Sequence, residues 1–262
     1  MGFTSDWLAL REPADHAARD AGLLQRAVRA AGPSPVILDL GCGTGSTVRA
    51  MRAHLPSGTR WRLVDSDPVL LEHATRAAGD GGEAVLLDIT DIDALPLHSV
   101  TLVTASALLD LVSAAWMRRL ADRLKVPFYA ALSYDGYMRW TPELPEDAGV
   151  TRAFNAHQRG DKGMGPALGP KAVTQGAELL EAAGFDVARA DSAWRLGAGD
   201  VALQSALVEG IATAARESGV EEADGWGKAR CAAAARTDCV IGHGDILAVP
   251  HVAAGRGADA TG

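Results

Sequence analysis

Between positions 39 and 45 the chain reads Asp39-Leu40-Gly41-Cys42-Gly43-Thr44-Gly45, and no other stretch limits the possible folds so strongly. The residues before it, Val36, Ile37 and Leu38, are an apolar run without alternation, which suits a strand buried on both faces. The residues after it, 46–54, have a helical pattern. Three glycines at alternating positions allow a sharp turn and a close approach of backbone to a ligand. Strand, tight turn and helix in that order form the first half of a right-handed crossover in a parallel sheet.

The same rhythm recurs along the chain. Further strands are expected at 61–65, 84–88, 100–104, 128–133, 185–190 and 239–249, and helices at 14–31, 68–78, 114–124, 171–183 and 201–217. The expected fold is α/β: a Rossmann-like, seven-stranded, mostly parallel sheet with one antiparallel strand near 239–249 and helices on both faces. Residues 1–33 would form an N-terminal helical cap, 34–136 the cofactor-binding core and 171–251 the rest of the same domain. Residues 137–170 break the rhythm with four prolines and five glycines and are expected to form a lid or substrate insertion. The tail, 252–262, has no means of packing and is expected to be disordered.

Composition removes several functional classes. Acidic residues outnumber basic ones, 33 to 25, and the net charge of −8 is wrong for a chain held mainly by nucleic-acid phosphates. No run approaches the roughly 20 apolar residues of a membrane span. Charges from Asp6 onward interrupt any leader pattern, so a cytoplasmic location is expected. Three scattered cysteines, Cys42, Cys231 and Cys239, are too few for a disulfide framework or a tetrahedral zinc site, and no metal is expected.

A second acid, Asp65, closes the next strand 20 positions after Gly45. A carboxylate there accepts both hydroxyls of a ribose, so a nucleoside-containing cofactor is expected. The dinucleotide fingerprint wants glycine or alanine where this chain has Ser46, which disfavours a nicotinamide oxidoreductase. With glycines at 41, 43 and 45 and Asp39 two positions before the first, the segment 37–45 resembles motif I of the class I S-adenosylmethionine-dependent methyltransferases, small-molecule branch. The segments 63–68 and 86–90 resemble the second and third cofactor motifs of that family.

The resemblance implies S-adenosyl-L-methionine as cofactor and S-adenosyl-L-homocysteine as product. It further implies that Asp39 and the backbone of Gly41, Cys42, Gly43 and Gly45 hold the methionine part, and Asp65 the ribose. Ser66 would flank the adenine, Asp88 would accept from its amino group, Ile89 would supply a backbone N–H, and Ser106 would face the sulfonium. Asp88 also reads as a turn or helix-capping residue. The fourth-motif position, Thr104-Ala105-Ser106-Ala107-Leu108-Leu109-Asp110, departs from the Asn/Asp-Pro-Pro-Tyr of enzymes that methylate exocyclic or amide nitrogens.

The flanks bear on the acceptor. Arg11 is a candidate to pair with the methionine carboxylate, or else belongs to an amphipathic surface helix. Between 150 and 171 the cations Arg152, Arg159, Lys162 and Lys171 face one acid, Asp161, which suggests an anionic substrate. Asn155, Arg159, Lys162 and Trp194 are therefore substrate-binding candidates, with His157 and Tyr134 as catalytic ones. Asp135, Arg195 and His243 are further pocket candidates, although His243 also reads as part of a strand-edge turn. The expected activity is methyl transfer to a small polar, anionic metabolite without nucleic-acid or membrane partners. A non-catalytic scaffold of the same fold is the competing class.

Overall fold

The computed structural model describes residues 4–251; the tail expected at 252–262 lies outside the described residues. The helices are α1 (Ser5–Ala18), α2 (Ala21–Ala30), α3 (Ser46–Met51), α4 (Pro68–Ala78), α5 (Ala114–Arg123), α6 (Asp147–Gln158), α7 (Ala172–Ala182), α8 (Val201–Glu217) and α9 (Ala223–Ala233). The strands are β1 (Val36–Leu40), β2 (Arg60–Asp65), β3 (Gly82–Leu86), β4 (Leu102–Ser106), β5 (Phe128–Thr141), β6 (Phe185–Asp191), β7 (Trp194–Leu196) and β8 (Asp238–Pro250). Among these, no helix is long and apolar enough to cross a membrane.

Seven strands form a continuous sheet in the order β3-β2-β1-β4-β5-β8-β6, and the short β7 pairs with β8 as an eighth. All neighbours are parallel until β8, which runs antiparallel to β5, β6 and β7. The order reverses between β1 and β4, and that is where open α/β sheets of this kind place their ligands. β1 is buried along its whole length, as its unbroken apolar run requires. One face of the sheet packs on α5 and α7 through Trp116, Met117, Leu120 and Leu180. The other packs on α2, α3 and α4 through Leu23, Val48, Met51 and Leu71.

Two segments differ from the sequence reading. The helix expected over 14–31 is two helices, because Arg19 is extended (ψ 130°) and Asp20 caps α2 by accepting from the Leu23 N–H at 2.6 Å. The segment 137–170 carries regular structure: β5 continues to Thr141 and α6 fills 147–158, leaving a loop from 159. The outer half of β5 alternates between exposed and half-buried residues, so its polar side chains mask the strand. It pairs with β8 at Met138↔Ile241 through Thr141↔Asp238, and on this ribbon a third cluster forms. There Trp140, Trp194, Val208, Ile211 and Trp226 bring α6, α8 and α9 together.

Candidate functional site

The glycine turn leaves β1 with three residues in the left-handed region: Gly41 (φ 61°), Gly43 (φ 53°) and Gly45 (φ 85°). At Gly45 a side chain would also meet the Ala74 Cα of α4 at 3.0 Å, so the close packing of turn and helix depends on its absence. Asp65, at the end of β2, braces the turn. Its Oδ2 accepts from the Gly43 N–H at 2.9 Å and its Oδ1 from the Asp67 N–H at 3.0 Å. A carboxylate has about four acceptor sites, so half of its capacity stays available to a diol.

Asp39 is fully buried beneath the turn. Its Oδ1 accepts from Thr104 Oγ1 at 2.7 Å, while Oδ2 has no partner. Burial pushes its pKa up to about 7, against the lowering effects of the Thr104 hydroxyl and the Arg19 charge. Around it lies a polar pocket at the switch point. Ser106 Oγ, at the end of β4, accepts from Arg19 Nη2 at 3.1 Å and sits 3.0 Å from Thr47 Oγ1. Arg19 is buried, and its Nε and Nη1 have no partner. Cys42 is buried, and its thiol is held well above its usual range by desolvation and by Asp39 and Asp65, so it is inert filling in the turn.

Helix α1 lies over this turn. A side chain at Gly43 would meet Leu8 Cδ1 at 3.2 Å, Arg49 of α3 forms an ion pair with Glu12, and His16 Nε2 is 3.3 Å from the Ser46 carbonyl oxygen. Arg11 is not turned to the polar pocket. It grips Asp15 through Nε (2.8 Å) and Nη2 (3.0 Å), and its guanidinium lies 4.9 Å from the Trp194 ring. Trp194 in turn donates to Asp15 at 3.0 Å.

Beyond Ser106 the middle of β5 and the facing amino half of β8 carry an aromatic group. Tyr134 and His243 are cross-strand partners, with ring centroids 6.2 Å apart, and Trp194 lies 4.9 Å from His243. His243 is buried, and its Nδ1 lies 3.0 Å from the Ile241 carbonyl oxygen. Burial and the Arg11 charge lower its pKa to about 3, so the ring is neutral at physiological pH. The Tyr134 hydroxyl donates to Asn155 Oδ1 at 2.7 Å, and burial raises its pKa well above the usual range, so it is a donor and not a base. Asp110, four residues past Ser106, has a buried Oδ1 without a partner. Desolvation raises its pKa, against the charges of Arg11 and Lys162.

The remaining candidates fall in different places. Lys162 is half-buried near Asp110, whereas Arg159 is exposed at the end of α6. His157 turns towards α8 and pairs with Glu217 at 3.0 Å, away from Tyr134. Arg195 is exposed beside Asp191. Asp135 accepts from the Tyr137 N–H at 2.9 Å, next to Gly242. Ser66 and Asp88 are exposed on the β2 and β3 side, where Asp88 accepts from the Thr90 N–H at 2.8 Å and the Ile89 carbonyl accepts from Trp116 Nε1 at 2.8 Å. A hollow lined by Arg60, Arg62, Asp80 and Glu83 lies at the opposite, amino ends of the strands and belongs to no part of this arrangement.

Residues 37–126, about a third of the chain, match the family model described as a methyltransferase domain. The chain carries a methyltransferase domain. The chain resembles the cyclopropane synthase MmaA2 from Mycobacterium tuberculosis at a TM-score of 0.52 and 14% identity, over 94% of each chain, which supports the fold. A SAM-dependent methyltransferase from Geobacter sulfurreducens, solved with S-adenosyl-L-homocysteine, aligns over 95% of this chain and 100% of its own at 15% identity and a TM-score of 0.49. Geranyl diphosphate C-methyltransferase from Streptomyces coelicolor A3(2) aligns over 87% and 78% at 15% identity and a TM-score of 0.46. No curated protein matches the sequence significantly.

Sequence reasoning missed Arg19, Thr47, Thr104 and Asp245. The first looks like any arginine of an alanine-rich helix. Asp245 had a visible signal, an acid inside the apolar run expected as a strand at 239–249.

Proposed function

We propose that this methyltransferase transfers a methyl group to a small polar metabolite that carries an anionic group. The reading rests on one observation above all: an open-handed glycine turn at the switch point, with Asp65 half-committed and Asp39 Oδ2 uncommitted. These residues fit S-adenosylmethionine, with the turn and Asp39 at its methionine end and Asp65 on the ribose. Ser66, Asp88 and Ile89 would lie about the adenine, and Ser106 beside the sulfonium. When bound, the cofactor supplies a methyl group already activated for in-line displacement.

What the chain adds is orientation, which supplies roughly 7–11 kcal/mol when two reactants are held in line. A general base adds a factor of about 10²–10⁴, and a carboxylate acceptor needs none. Tyr134, Asn155 and the neutral His243 are suited to hold and orient an acceptor. Lys162, whose charge reaches Asp110, favours an anionic one. The net charge of −8 and the departure at 104–110 speak against nucleic acid as acceptor.

Asp65→Ala tests the cofactor reading. It is expected to weaken S-adenosylhomocysteine binding by roughly 100-fold, the range for losing charge-assisted hydrogen bonds, with an unchanged circular dichroism spectrum. Near-native affinity in the variant would remove the ribose assignment.

A further inference from the structure

We infer that Arg19, and not Arg11, anchors the carboxylate of the bound cofactor's amino-acid end, while Asp39 takes its ammonium group. The inference rests on the cofactor reading above and deepens it.

Arg19 is a buried cation whose Nε and Nη1 donate to nothing, and it forms no ion pair among the described residues. Its one hydrogen bond, Nη2 to Ser106 Oγ at 3.1 Å, points the guanidinium into the pocket at the end of β4. An unpaired guanidinium withdrawn from water costs several kcal/mol unless an anion meets it. The carboxylates whose charge reaches it, Asp39 and Asp245, stand outside ion-pair distance. Asp245 is committed elsewhere, accepting from the Leu132 N–H at 2.8 Å, Tyr129 Oη at 3.2 Å and the Asp20 N–H at 3.1 Å.

Asp39 is the complementary case, an acceptor oxygen buried with no donor. One pocket thus presents two free N–H donors on a cation and one free oxygen on an acid. A zwitterionic amino-acid head, a carboxylate beside an ammonium, satisfies all three and leaves no net charge buried. Arg11 lacks this capacity because Asp15 already holds the Nε–Nη2 edge of its fork and pairs its charge. Arg19 also closes α1 and precedes the Asp20 cap of α2, so a cofactor held there ties the helix junction to the sheet.

The test compares S-adenosylhomocysteine with 5′-methylthioadenosine, which keeps the nucleoside but lacks the amino-acid end, by calorimetry on the whole chain and on Arg19→Met. The native protein is expected to prefer S-adenosylhomocysteine by roughly 10- to 100-fold, the worth of charge-assisted hydrogen bonds. In Arg19→Met that preference should collapse while 5′-methylthioadenosine binds as before, which also reports an intact fold. Equal affinity of the native protein for the two ligands would overturn the inference and leave the cofactor reading standing. So would an equal loss of both ligands in the variant, the mark of a purely structural arginine. Binding of neither by the native protein would remove the cofactor reading and the inference with it.

Discussion

At the scale of single residues, the site holds an acid that folding would do better without. Asp39 is buried beside Thr104, Thr47, Arg19 and Asp65, and its pKa is pushed up to about 7. A folded-state pKa above the unfolded one means that stability is full below about pH 4 and is lost as pH rises through 7. Asp39→Asn should therefore match the native protein in acid, apart from a constant offset. It should gain on it by a few kcal/mol between pH 4 and 7, at roughly 1.4 kcal/mol per unit. Urea denaturation of both proteins across that range checks this, and parallel pH profiles would contradict it. Such a residue persists when a ligand uses it, which is the part proposed above for the cofactor's ammonium group.

Asp39 and Asp65 stood out in the sequence because each lies at or next to the end of an apolar run, where an acid has no packing reason to stand. Arg19 was not. Its buried position comes with the break between α1 and α2, and the alanine-rich pattern around it shows only a continuous helix. Arg11, the candidate the sequence offered for the methionine carboxylate, is paired in the structure with Asp15 one turn later.

At the scale of elements, the pairing of β5 with β8 carries most of what the sequence obscured. Strand β5 bends within the sheet at Leu132, whose φ of 58° is strained for a residue with a side chain. Asp245 of β8 holds that bend through the Leu132 N–H. Past it, the ribbon needs helices to cover its apolar side, and α6 and α9 are held there by a buried ion pair. Arg230 of α9 is 2% exposed and meets Asp147 of α6, which also accepts from Trp226 Nε1 at 2.8 Å. Asp147→Ala leaves that guanidinium uncompensated and is expected to cost roughly 3–5 kcal/mol. A shift of less than about 1 kcal/mol in the urea-derived stability would show that the pair is dispensable. Helix α9 escaped the sequence reading because Gly225 and Gly227 are poor helix formers. The structure uses Gly227 for close packing, since a side chain there would meet Ala212 of α8 at 3.0 Å.

For the whole molecule, the doubly wound sheet was readable because parallel strands buried on both faces leave runs with little else to be. The strand order, the antiparallel β8 and the switch point follow from that class. The side proposed for the acceptor was less readable, since α1 and the β5–β8 ribbon, which meet there, are far apart in sequence. The described residues form a sheet whose parallel strands β1 and β4 end on one polar pocket, with α1 lying over the glycine turn.

The most direct measurement is a calorimetric titration of the native chain with S-adenosylhomocysteine, with NADH run in parallel. One-to-one, micromolar binding of the first and no heat from the second is the expected result. Binding of NADH, or of neither ligand, would contradict the assignment of this glycine turn to S-adenosylmethionine.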